Sequence, residues 1–288
     1  MKCVYHNDMD GRCAGSLIAY FTGNRNPDDY IEADYKDFPI DKINPRETVY
    51  IVDYSFTKHT VHHLYKMIYE MHCDVIWIDH HASSIKLPFT SDYKWVIRVK
   101  GSRCQDLSGA GLVYAYFMGI PCDQPERLPK YIQYVDDYDR WIYRLGEDST
   151  YFKLGLETIE FDALDNVWEE LRTCPEKADS LIALGAIIKQ YIDKDNAEYL
   201  KNFGYASTIA GFDCYVVNRK TNSWIFADKV MDYPIVSVFA FDGEWFHYSL
   251  YSTDPDIDCS KIAEQFGGGG HPGAAGFKSK ELIFKKKE

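Results

Sequence analysis

The chain has 288 residues, of which 46% are hydrophobic and 26% charged, a composition ordinary for a globular protein and a length that suits two domains. No apolar run approaches the roughly 20 residues that a bilayer crossing requires, which argues against a membrane-spanning helix. The formal charge of −12, with Lys285-Lys286-Lys287 as the one dense basic run, argues against a grip on long duplex nucleic acid, where phosphate contacts dominate affinity. Short oligonucleotides or single nucleotides suit this charge balance better.

The first part alternates strand and helix. Lys2–Tyr5 reads as a short apolar strand and Arg12–Phe21 as the helix after it. Thr48–Asp53 and Cys73–Asp79 are buried-type strands, and His59–Met71 between them has helical spacing. Strands separated by helices of this length imply βαβ crossovers and a parallel sheet, so an α/β fold is expected. Helices are expected at Gly109–Phe117, Leu128–Val135, Phe161–Arg172 and Glu176–Phe203. From about Tyr205 the texture changes to short β-like runs at Ser207–Ala210, Cys214–Val217, Ile235–Phe241 and Trp245–Tyr251. A helix at Ser260–Gln265 then leads into four glycines. This pattern divides the chain into an N-terminal domain at 1–175, a linker helix at 176–204 and a smaller C-terminal α/β domain at 205–288.

Four short runs collect acids and histidines: His6-Asn7-Asp8-Met9-Asp10-Gly11, Asp53, Asp79-His80-His81 and Val135-Asp136-Asp137. Carboxylate oxygens and imidazole nitrogens suit divalent transition ions. In a parallel sheet the ligand crevice lies at the C-terminal strand ends, and the first three runs fall there. His6, Asp8 and Asp10 sit on one strand-to-helix turn and could serve two adjacent metals, although Asp8 or Asp10 could equally cap the helix. Asp53 taken alone reads as a turn residue. Beside it, His80 is the better ligand candidate and His81 the better substrate contact. His59, His62 and His63 read as a solvated helix face, and Arg219 as a possible phosphate clamp. The eight cysteines stand singly without C-x-x-C spacing and read as free thiols in a reducing compartment. Met1–Tyr5 runs straight into the first motif and leaves no room for a signal peptide, so a cytoplasmic protein is expected.

With these residues in place, the chain resembles the DHH phosphoesterase superfamily. HNDMDG matches that family's first motif, the Asp of IVDYS its second, Asp79-His80-His81 its third and VDDYDRW its fourth. FGGGGHPGAAGF is similar to the hallmark of the associated C-terminal substrate-binding domain. Within the superfamily the chain looks most similar to the short bacterial oligoribonucleases, or nanoRNases. The resemblance implies a two-metal site, usually manganese, in a cleft between domains. It implies that His6 and Asp8 hold one metal, Asp10 and His80 the other, with Asp53 bridging them and Asp137 completing the ligand set of the second metal. It implies that His81 contacts the substrate phosphate, while Gly268, Gly269, Gly270 and His271 bind the nucleotide. Where many relatives carry an Arg in Ser-Leu-Arg-Ser, this chain reads Ser249-Leu250-Tyr251-Ser252, and Arg219 is the candidate replacement. The expected activity is metal-dependent hydrolysis of short oligonucleotides to nucleoside monophosphates. The alternatives are a cyclic or linear dinucleotide, phosphoadenosine phosphate, or a non-catalytic nucleotide-binding role.

Overall fold

The structure is a computed structural model, and it describes residues 1–34, 38–90, 92–220, 226 and 232–287. Backbone packing groups the chain into two units, Met1–Ile188 and Lys189–Glu288. The division falls inside the long helix at Glu176–Phe203, which occupies the segment expected as a linker. Among the described residues no helix is long and apolar enough to cross a membrane.

The first unit is built on a four-stranded parallel sheet in the order β2-β1-β3-β4. Its strands are β1 (Lys2–His6), β2 (Tyr30–Ala33), β3 (Thr48–Val52) and β4 (Asp74–Ile78). A parallel sheet covered on both faces needs apolar residues at successive positions, which is why these strands read as near-continuous hydrophobic runs. Alternate side chains feed two cores. Cys3, Tyr5, Val52, Ile76 and Ile78 pack with helices α1 (Met9–Thr22), α4 (Gly109–Met118) and α5 (Lys130–Asp139). Val4, Val49, Ile51, Val75 and Trp77 pack on the other side with Phe38, Tyr54, Phe56 and Leu64. Residues 100–103 extend the sheet beyond β4 through isolated parallel bridges, Ile76 with Lys100 and Asp79 with Arg103.

Two of the expected helices differ in extent or form from the sequence expectation. The helix expected over 59–71 is α2 (Val61–Tyr65) continued by a wider π-type turn at Lys66–Glu70, with the Cys73 amide donating back to the Met67 carbonyl. The helix expected from Phe161 begins only at Asn166, as α7 (Asn166–Thr173). The residues before it are tied elsewhere: Tyr5 Oη donates to Asp162, and the Trp168 indole donates to the Phe161 and Asp162 carbonyls. The short helices α3 (Ala82–Lys86) and α6 (Asp148–Leu156) complete this unit, and α8 (Glu176–Phe203) leads out of it.

The second unit carries a six-stranded mixed sheet in the order β5-β6-β7-β8-β10-β9. Its strands are β5 (Gly204–Ile209), β6 (Phe212–Asn218), β7 (Ile235–Phe241), β8 (Phe246–Tyr251), β9 (Gly269–His271) and β10 (Ala274–Ser279). Only β6 and β7 pair parallel; the other neighbours are antiparallel. Helix α9 (Cys259–Glu264) covers one face through Ile262 and Ala263.

Candidate metal centre

Strands β1, β3 and β4, which end at the C-terminal edge of the first sheet, each deliver a carboxylate or an imidazole to one place. β1 ends in His6, and Asp8 follows as the N-cap of α1, its Oδ1 accepting the Gly11 amide at 2.9 Å. Capping and clustering coexist here: Asp8 Oδ2 also lies 2.9 Å from His6 Nδ1. Asp10 is fully buried and caps a different helix, one that starts nearly a hundred residues later. Its carboxylate accepts the Ser108 hydroxyl at 2.7 Å and the amides of Gly109 and Ala110 at 2.6 and 2.9 Å. The N-terminus of α4 thus fixes Asp10, where the helix dipole favours negative charge.

Asp53 stands at the end of β3 with φ of +52°, a left-handed conformation uncommon for a non-glycine residue. Such backbone persists where surrounding structure over-determines it, and it concentrates at functional sites. The Asp53 amide donates to the Ile78 carbonyl, which pins the residue to the end of β4. Its Oδ1 is 3.2 Å from His80 Nε2, and its Oδ2 is 3.8 Å from His6 Nδ1. Both oxygens are buried, and neither accepts a hydrogen bond. The His80 imidazole also lies 3.3 Å from Asp139 and 3.9 Å from Asp10.

Two groups with metal-ligand spacing therefore meet around Asp53: His6, Asp8 and Asp53 in one, Asp10, His80 and Asp139 in the other. Asp79, His80 and His81 form a further group with Asp53.

The fourth-motif ligand expected at Asp137 lies outside these groups, and Asp139 stands among them instead. Asp137 is buried, but its carboxylate accepts the amides of Arg144 and Leu145 at 2.8 and 3.2 Å, so it holds the turn after α5. Asp136 is engaged with the Ser108 amide and with Arg140. Successive helical residues lie about 100° apart, so Asp137 and Asp139 point in opposed directions, and only Asp139 reaches His80. Asp139 was legible in the motif VDDYDRW; the sequence simply does not say which of three aspartates faces the sheet.

The site is electrostatically uncompensated as it stands. Burial pushes the Asp53 carboxyl well above its usual range, and Asp10, Asp8, Asp139 and Asp79 push it further. Burial also raises Asp10, and it lifts Asp139 to about 9 with the help of Asp10 and Asp8. Asp8 is the exception: burial opposes its ionisation, but the hydrogen bond and charge of His6 prevail and lower it. Burial lowers His80, which keeps that imidazole neutral and able to donate a lone pair to an ion. Burial would lower His81 too, yet its bond to Asp79 outweighs that and raises it. Among the described residues no lysine or arginine pairs with Asp8, Asp10, Asp53 or Asp139. Buried carboxylates of this kind are stable when paired or bound to metal, so the donor set suits divalent cations.

Close packing protects the arrangement. A Cβ on Gly109 would sit 2.5 Å from the Asp53 Cβ and 2.9 Å from Asp10 Oδ2. Gly109→Ala is expected to displace both carboxylates, weaken divalent-ion binding and lower stability by about 1–3 kcal/mol, the usual range for overpacking. Thermal melting and metal titration check this; unchanged ion affinity would show that the carboxylates tolerate the shift.

The remaining expected residues fall in the second unit. Gly268, Gly269, Gly270 and His271 lie at and around β9, largely exposed. Gly270 adopts φ of +149°, and a Cβ there would meet the Ala275 Cα at 2.5 Å, so this hairpin requires glycine. Arg219 is not held out as a clamp: Nη2 donates to Asp195 at 2.6 Å, and the guanidinium lies 4.3 Å over the Tyr199 ring. That engagement counts against the phosphate-binding role. His62 and His63 stack on one another at 3.9 Å, and His63 stacks on Phe38, so His63 belongs to packing and not to a solvated face.

Fold and site together define an α/β protein with a buried carboxylate-histidine cluster whose spacing could hold divalent ions. Residues 3–135, a little under half of the chain, match the model of the DHH family, N-terminal domain. An uncharacterised protein of Acanthamoeba polyphaga mimivirus is 28% identical over 264 residues, which cover 86% of this chain and 57% of the relative. The chain thus spans little more than half the length of that relative. Among solved structures, the pGpG-specific phosphodiesterase PggH of Vibrio cholerae matches with a TM-score of 0.55 at 14% identity, over 97% of this chain and 93% of that one. The DHH domain of a member of the s1p family of ribosomal proteins matches with a TM-score of 0.59 at 14% identity, over 95% and 81%. At such identities the likeness is one of fold.

Proposed function

We propose that this protein is a metal-dependent phosphodiesterase that hydrolyses short oligonucleotides to nucleoside monophosphates, with manganese as the working ion. The observation that carries the reading is Asp53: a buried carboxylate, strained at its backbone, whose two oxygens face His6 on one side and His80 on the other without a hydrogen-bond donor. In this assignment His6, Asp8 and Asp53 would hold one ion and Asp10, His80 and Asp139 the other, with Asp53 available to both. A bound pair of divalent ions supplies Lewis-acid stabilisation of a phosphoryl oxygen and of the attacking water. The chain's own residues do the positioning. The α4 N-terminus orients Asp10, the Asp79 carboxylate orients His81, and His81 meets the substrate phosphate.

Residues 1–175 carry the hydrolytic centre in this reading, and 205–288 carry nucleotide recognition through Gly268, Gly269, Gly270 and His271, with the helix over 176–204 as connector. The net charge of −12 favours a short substrate. A dinucleotide such as pGpG is the specific second reading, favoured by the fold shared with PggH. The test is a panel: a 5′-labelled dinucleotide, a five-nucleotide RNA, a cyclic dinucleotide, phosphoadenosine phosphate and pyrophosphate, each with Mn²⁺ and with chelator. Metal-dependent release of mononucleotides from the first two supports the proposal. Cleavage of pyrophosphate alone, or of nothing, contradicts it.

A pH dependence follows from the raised carboxyls. Burial and the neighbouring acids Asp10 and Asp8 push the Asp139 carboxyl up to about 9, so ion binding there should release a proton. Apparent Mn²⁺ affinity should therefore rise steadily from pH 6 to pH 8. The metal-free fold behaves in the opposite sense. A carboxyl raised above its unfolded value stabilises the fold at low pH, and that contribution is lost as pH climbs towards the folded value. The melting temperature in chelator should fall between pH 5 and pH 8 while the Mn²⁺-loaded protein holds. Calorimetric titration and melting across this range check both trends, and a flat affinity profile would refute the linkage.

A further inference from the structure

Behind His81 lies a run of hydroxyls that the ion ligands do not use. Asp79 is fully buried at the end of β4, its amide donating to the Ser102 carbonyl. Its Oδ1 accepts the His80 amide at 2.9 Å and lies 2.7 Å from His81 Nδ1. Its Oδ2 receives the hydroxyl of Ser84, which is itself fully buried on α3. Ser84 Oγ stands 3.0 Å from Ser55 Oγ, and Ser55 Oγ stands 2.5 Å from Ser83 Oγ. Ser55 is also buried, two residues beyond Asp53. The Ser84 hydroxyl is the donor to both neighbours, and its single proton is shared between the Asp79 carboxylate, the stronger acceptor, and Ser55 Oγ.

We propose that Ser84, backed by Ser55, is a positioning residue that fixes the Asp79 carboxylate and through it the orientation of His81 towards the substrate phosphate. The proposal rests on the phosphodiesterase reading for what His81 does, and on geometry alone for how it is held. Asp79 has one oxygen for His81 and one for Ser84, so its plane is set from both sides. With Nδ1 committed to Asp79, Nε2 is the nitrogen that meets substrate. Without the Ser84 hydroxyl, Oδ2 would be left buried and unsatisfied, and the carboxylate would gain freedom to rotate away from the imidazole. Imidazoles at ion sites are commonly oriented in this way by a carboxylate, and loss of such a partner costs about ten- to a hundredfold in function.

The test is a double-mutant cycle on hydrolysis of the labelled dinucleotide with Mn²⁺. Ser84→Ala is expected to reduce kcat/KM about tenfold or more in the wild-type background. In a His81→Gln background the same change should cost less than about twofold, because a residue acting through His81 has nothing left to orient. Ser84→Cys, which keeps a weak donor, should recover part of the loss, and Ser55→Ala should show a smaller loss of the same kind. Mn²⁺ affinity should stay unchanged in every serine variant. Equal losses in both backgrounds, or loss of Mn²⁺ binding, would overturn the proposal. The ¹⁵N resonances of the His81 ring in metal-free protein give a readout independent of turnover: Nδ1 is expected to shift in Ser84→Ala. If the wild type hydrolyses nothing while that resonance moves, the phosphodiesterase reading fails and the relay stands. An unmoved resonance in an active enzyme sinks the relay alone.

Discussion

Asp53→Asn is expected to abolish hydrolysis while the chain stays folded. The expected loss is about 10³-fold or more, the scale reached when one preorganised electrostatic group is removed from a water-poor site. Asp53 earns this weight from its position between the two donor groups, 3.2 Å from His80 on one side and 3.8 Å from His6 on the other. Replacing it would leave each proposed ion site short of a ligand at once. The same substitution should raise the melting temperature in chelator, because Asp53 is buried and crowded by Asp10, Asp8 and Asp139. Removal of an ionisable group that the metal-free fold does not want relieves that conflict. Turnover and melting with and without Mn²⁺ measure both effects. Near wild-type turnover in a folded Asp53→Asn protein would remove the basis of the metal assignment.

The second large effect separates two aspartates in one helical turn. Asp139→Asn is expected to lower Mn²⁺ affinity and turnover by about a hundredfold or more, since its carboxylate faces His80 and Asp10 inside the site. Asp137→Asn should leave ion stoichiometry intact and lower stability instead. Its carboxylate accepts two amides of the turn after α5, and hydrogen bonds to a charged group are worth about 1.5–3 kcal/mol each. Melting and ion titration on the two variants should give opposite patterns. If Asp137→Asn lost the ion and Asp139→Asn did not, the direction of α5 in the site would be wrong.

This pair also shows how far the sequence reaches. Strand ends were legible because β1, β3 and β4 are apolar runs that stop abruptly at a charged residue, and a parallel sheet gathers such ends on one edge. Hence His6, Asp8, Asp10, Asp53 and His80 could be brought together from the sequence. Asp139 could not be told from Asp137, because which face of α5 meets the sheet depends on packing against α1 and α4. The role of Asp10 as the cap of α4 was equally hidden, since Ser108 is 98 residues distant and only the fold brings it near. Strand β2, a four-residue edge strand, carries too little pattern to announce itself. Arg219 looked available as a basic residue at a strand end, whereas its partner Asp195 lies on α8, 24 positions earlier.

The most direct measurement is a count of bound ions. Chelator-stripped protein titrated with Mn²⁺ should take up two equivalents per chain, and Asp53→Asn should take up one or none. Absence of binding, or identical uptake by both proteins, would contradict a divalent-ion centre shared through Asp53.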